Sequence, residues 1–139
     1  MKGKNDMVKL IPGKRGTGKT KLLINQIHEA GDKSKGNVVA IQLGSSLNID
    51  IYHKIRLINI EDYKIKSAEA MMGFISGLLA SDYDCTDIFI DGILRIVRRD
   101  FEAVGKMFED ISEISGDVNV VFTISAEPDE LPQNIKKYL

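Results

Sequence analysis

Eight residues near the start of the chain, Gly13-Lys14-Arg15-Gly16-Thr17-Gly18-Lys19-Thr20, constrain its fold more than any other stretch. They follow the spacing G-x-x-x-x-G-K-[ST] of a phosphate-binding loop. A polyphosphate tail carries several negative charges, and a loop holds it only by aiming many backbone N–H groups inward. Gly13, Gly16 and Gly18 let the backbone curl into that concave shape and come close to the oxygens. A helix starting near Lys19 leaves its first N–H groups unpaired, with the positive end of its dipole toward the anion. The whole run Gly13 to Lys21 is therefore the expected contact, with N–H groups from Arg15 to Lys21 as the cradle. Lys19 adds a charge for the outer phosphates, and the Thr20 hydroxyl can ligate Mg²⁺. The motif also requires a strand before it and a helix after it. Val8-Lys9-Leu10-Ile11 supplies the strand, and Leu22, Leu23, Ile24 and Ile27 supply a helical face.

Bulk properties narrow the rest. At 139 residues, positions 1–139 read as one domain with a real core. A net charge of −1 offers no basic field to a nucleic-acid backbone. No apolar run approaches the ~20 residues of a membrane span. Met1 to Asp6 is charged and lacks the apolar core of a signal peptide, so a cytoplasmic protein is expected. The single cysteine, Cys85, cannot pair internally and is expected to be a small buried hydrophobe. His28 and His53 show no metal-ligand spacing and receive no role.

Strand-like and helix-like segments alternate along the chain. The expected fold is α/β, a three-layer arrangement with a mostly parallel five-stranded sheet and helices on both faces. Expected strands are Val8 to Ile11, Asn37 to Gln42, Ile55 to Ile60 (mixed in pattern, so near an edge), Thr86 to Asp91 and Val118 to Ile124. Expected helices run from Lys19 to Ala30 with Gly31 as the stop, from Ala68 to Ala80 after an N-cap at Ser67, and from Phe101 to before Gly116 after an N-cap at Asp100. Gly73 and Gly77, four apart, are expected at a close helix-on-sheet contact. Asn48 to Lys54 reads as a short helix or an irregular excursion, and Ile135 to Leu139 as a closing helical turn.

A magnesium–nucleotide site needs a carboxylate on the metal's other side, at the end of a neighbouring apolar strand. Ile88-Phe89-Ile90-Asp91 ends three apolar residues in an acid, and ligands of open parallel sheets sit at the carboxyl ends of strands. Asp-Gly is also a common strand-ending pair, but with the phosphate loop upstream the metal role is favoured. Arg95, Arg98 and Arg99 cluster after Asp91. They read first as a solvated basic face, with an arginine finger or a hold on an acidic partner as alternatives.

Gly13 to Thr20 with the strand ending in Asp91 resembles the Walker A and Walker B pair of P-loop NTPases. The wording Gly16-Thr17-Gly18-Lys19-Thr20 and the five strands are most similar to a minimal AAA+ or RecA-like ATPase core. The length and the wording of Ser125 to Leu139 also resemble a small bacterial family described as ATP-binding and twitching-motility-like. The resemblance implies binding of ATP, with GTP as the alternative, and Mg²⁺ held by Thr20 and Asp91. It implies Lys19 as the charge-stabilising catalytic residue. Hydrolysing AAA+ members carry Glu after the Walker B Asp, and here that position is Gly92. RecA-like enzymes place the glutamate after an earlier strand, which points to Glu61, against the commoner reading of a solvated strand-end acid. Ser125 resembles a position that senses the γ-phosphate, and equally a turn hydroxyl before Pro128. Lys14 sits where the deviant Walker A group has a lysine, but the glycine that follows it there is Arg15 here. Three functions stand in order: an ATPase with slow intrinsic turnover raised by self-association or a protein partner, a non-hydrolysing nucleotide-binding module, and a small-molecule kinase.

Overall fold

The computed structural model describes residues 7–47 and 55–139. Residues 1–6, and the segment 48–54 with His53, lie outside the described residues. Five strands appear: β1 (Val8–Pro12), β2 (Asn37–Gln42), β3 (Ile55–Asn59), β4 (Cys85–Ile90) and β5 (Asn119–Ile124). They form one all-parallel sheet in the order β1-β5-β4-β2-β3. The helices are α1 (Lys19–Lys33), α2 (Ala68–Ser81), α3 (Ile93–Val97), α4 (Phe101–Ile114) and α5 (Gln133–Lys136). The α/β, mostly parallel fold is as expected, and β3 is indeed an edge strand.

Both faces of the sheet are buried, so its strands read as nearly unbroken apolar runs. Alternate residues divide between two cores. Ile88 and Ile90 of β4 and Val120 and Phe122 of β5 pack with Met71 and Ile75 of α2 and Met107, Phe108 and Ile111 of α4. Phe89 and Val121, one residue out of step, pack on the other face with Leu23 and Ile27 of α1. Each such side chain, once fully buried, contributes about 1.5–3 kcal/mol. Cys85 lies in the first core, and burial pushes its thiol pKa up, as suits a packing residue.

The predicted caps are in place. Ser67 Oγ accepts from Ala70 N at 3.1 Å and Asp100 Oδ1 from Ala103 N at 3.2 Å. Several expectations fail in detail. α1 passes through Gly31, which is buried one turn beyond Ile27, and ends where Ser34 N bonds to Ala30 O at 2.8 Å. β3 stops at Asn59, whose side chain accepts from Glu61 N and caps a 3₁₀ turn over Ile60–Tyr63. Gly73 and Gly77 do not touch the sheet: both are exposed, and a Cβ on either would meet open space. The strand bearing Asp91 is not the neighbour of β1, because β5 lies between them. α3 is additional, a single buried turn in which Ile93, Leu94, Ile96 and Val97 all face protein. No described helix is long and apolar enough to cross a membrane.

Candidate functional site

β1 delivers the chain into the glycine-rich loop, and Gly13 N donates to Ala126 O at 3.1 Å, fastening the loop's start to the segment after β5. Gly13 has φ 151°, and a Cβ there would lie 2.5 Å from Thr17 Oγ1. That hydroxyl donates to Lys14 O at 2.7 Å and closes the loop on itself. Gly18, at φ 87°, is the N-cap of α1. No side chain caps this helix and no acidic residue lies in its first turn, so its leading N–H groups have no anion of their own.

Asp91 follows β4 directly and is 2% exposed. Its Oδ1 accepts from Thr20 Oγ1 at 3.1 Å and from Thr123 Oγ1 at 2.8 Å. Its Oδ2 faces Arg95 Nη2 at 3.9 Å. Thr123, fully buried on β5, also accepts from Gly92 N at 2.7 Å. One hydroxyl thus spans the gap that the interposed strand creates. Thr123 was not among the sequence candidates; its signal was a polar residue inside an otherwise apolar strand.

These groups line a cleft of about 370 Å³ that also takes in Arg15, Gly16, Lys19 and Ser125. Ser46 Oγ lines it as well, buried and without a hydrogen-bond partner among the described residues. Lys19 Nζ donates to Lys14 O at 3.3 Å. Burial pushes the Lys19 pKa below the usual lysine range; Asp91 opposes this, while Arg95 and Arg15 add to it. Concentrated positive charge facing one buried carboxylate suits a polyanion carrying a divalent cation. A larger hollow of about 610 Å³ lies at the other end of the strands, among Glu29, Lys33, Asp87 and Asn119. Its polar groups are already paired, Lys33 with Glu29 and Asn119 with Asp87. Size does not mark the site; convergent chemistry does.

Glu61 is not brought into the phosphate-loop cleft; it sits on the 3₁₀ turn after β3 and lines a separate one. Ser125 is brought in, and its carbonyl accepts from Arg99 Nη1 at 3.0 Å. Arg99 also pairs with Glu130 at 2.8 Å and lies over Phe101, so it serves the fold locally. A Cβ at Gly92 would lie 2.9 Å from Arg95 Nε, on a backbone with φ 74°. The Arg95 side chain occupies the space a glutamate there would need.

The fold and the loop define the class: this is the fold of P-loop ATPase domains. The chain is similar to C. elegans PCH-2 (20% identity, TM-score 0.55), covering 97% of this chain and 33% of that one. It is likewise similar to the ATPase domain of a helicase (12% identity, TM-score 0.58), covering 97% of this chain and 62% of that one. The chain therefore spans about a third of the first and under two thirds of the second. No family model matches it, and neither does any curated protein.

Proposed function

We propose that the chain binds ATP, with GTP as the alternative, together with Mg²⁺, and that it is an ATPase of slow intrinsic turnover. One observation carries the reading: Thr20 of the phosphate loop and Asp91 of the β4 end meet at 3.1 Å inside the cleft that holds Lys19. Both offer hard oxygen atoms, which suits Mg²⁺. Among the described residues there is no cluster of three or more His, Cys, Asp or Glu to cage a metal. That also suits an ion that keeps several waters and shares the phosphates. The unpartnered Ser46 hydroxyl adds a polar group to the same wall.

In this reading the first N–H groups of α1 and the loop cradle the phosphates, and Lys19 turns from Lys14 O to the outer ones. Bound Mg²⁺ would neutralise phosphate charge. Hydrolysis is in-line attack of water on the γ-phosphorus with release of ADP, and the chain contributes positioning and charge stabilisation. The arrangement of Gly92 beneath Arg95 favours a second reading, a nucleotide-binding module that acts through a protein partner or its own self-association without turning over.

Thermal unfolding with Mg²⁺ and ATP, ADP, GTP or a non-hydrolysable ATP analogue tests the proposal. Nucleotide at 100 times its Kd is expected to stabilise the fold by about 2.7 kcal/mol. Lys19→Ala should abolish the rise while melting like the parent. An equal rise in that variant would remove the loop assignment, and phosphate release under the same conditions separates the two readings.

A further inference from the structure

A second cleft, of about 600 Å³, opens on the other side of Arg95. Four cations line it, Lys64, Lys66, Arg95 and Arg98, against one carboxylate, Glu61. Lys64, Lys66 and Arg98 have no ion-pair partner among the described residues, whereas Arg99 beside them is already paired with Glu130. The floor is apolar, with Ile65 and Ile96.

The backbone singles out the same place. Among the described residues only two non-glycines have positive φ, Lys64 at 58° and Arg98 at 68°, and both line this cleft. Arg98, with ψ 174°, stands in a region that is nearly exclusive to glycine. Its neighbours hold it there: Val97 is buried in the core and Arg99 is bonded to Ser125 O and Glu130. An arginine kept in glycine's conformation, beside three other cations, concentrates charge that a solvated surface would spread out.

We propose that this cleft binds a small organic polyanion, a molecule bearing phosphate or carboxylate groups and a hydroxyl or amine for Glu61. Arg95 is shared with the phosphate-loop cleft. The volume falls within the range of small-molecule sites, about 300–1,000 Å³. A net charge of −1 gives no wider basic field along which a nucleic-acid backbone would run. The proposal stands on these residues whether or not the loop binds nucleotide.

The test is calorimetric titration of the full chain with citrate and, separately, with O-phosphoserine. At least one is expected to saturate with a Kd of about 1 mM or tighter, and Lys64→Gln/Lys66→Gln should weaken it about tenfold or more. Arg98→Gly should weaken it too while melting no lower than the parent, since glycine accepts φ 68°. Lys19→Ala should leave it unchanged. No saturation by either anion overturns the proposal. So does loss in Lys19→Ala with retention in the lysine pair, which moves the anion to the phosphate loop and leaves the nucleotide reading intact. Saturable binding of oligothymidylate through the same lysines, in place of both anions, also overturns it. Conversely, the expected pattern with no nucleotide-induced rise in melting would keep this site and remove the nucleotide reading.

Discussion

Thr123 Oγ1 lies 2.8 Å from Asp91 Oδ1 and reaches that carboxylate from the strand that separates it from the phosphate-loop strand. The same hydroxyl accepts from Gly92 N at 2.7 Å, so one buried atom satisfies two groups of the β4 end. Thr123→Val keeps the shape and removes both bonds. It is expected to cost about 1–3 kcal/mol of stability. It should also weaken magnesium-dependent nucleotide binding more than magnesium-independent binding. Urea unfolding and titrations with and without the metal check both halves; a variant as stable as the parent would show that Asp91 is held by Thr20 alone.

Lys19 gives a pH signature. Its pKa is depressed chiefly by burial. The unfolded chain, with the ordinary value, binds more protons in the interval between the two, so this residue makes stability rise with pH there. Nucleotide phosphates restore the charged form, so binding takes up a proton in the same interval. Affinity is therefore expected to fall as pH climbs from neutrality into the alkaline range, beginning earlier than for an ordinary lysine. Lys19→Arg, which does not titrate there, should flatten that profile in binding titrations at stepped pH.

Gly92→Glu installs the residue that hydrolysing AAA+ relatives carry, but it is not expected to accelerate turnover. Its Cβ would approach Arg95 Nε to 2.9 Å on a backbone at φ 74°. Leaving glycine at such a position costs about 1–2 kcal/mol. The expected outcome is a lower urea midpoint with phosphate release no faster than the parent's. Faster release would mean that Arg95 yields and that the position is catalytically open.

Gly73→Ala and Gly77→Ala should each stabilise the protein by about 0.5–1 kcal/mol, since both glycines lie within α2 facing open space. Thermal melts of the single and double variants would show the rise. A fall would mean that the exposed face of α2 needs close approach to something else.

What was legible in the sequence were features written locally. The phosphate loop is contiguous, the caps at Ser67 and Asp100 precede their helices by one residue, and parallel strands buried on both faces spell themselves as apolar runs. Strand order is a long-range property, so β5 could not be seen to lie between β1 and β4, nor Thr123 to face Asp91. α3 escaped because a five-residue turn buried all round has no polar face to give it a period. Gly73 and Gly77 misled because glycines four apart fit a packed helix face and a solvent-facing one equally.

β1 carries the phosphate loop at an edge of the sheet, and its outer side is nearly closed to hydrogen bonding. Val120 N donates to Met7 O, a register that turns the nitrogens of Leu10 and Pro12 outward. Proline has no hydrogen to offer, and Leu10 N already donates to Tyr138 O at 2.9 Å. Strand addition on that side would have to displace the Tyr138 carbonyl and would still find a missing donor two residues on. Copies of this chain that associate by extending the sheet therefore do so from β3, at the edge remote from the phosphate loop.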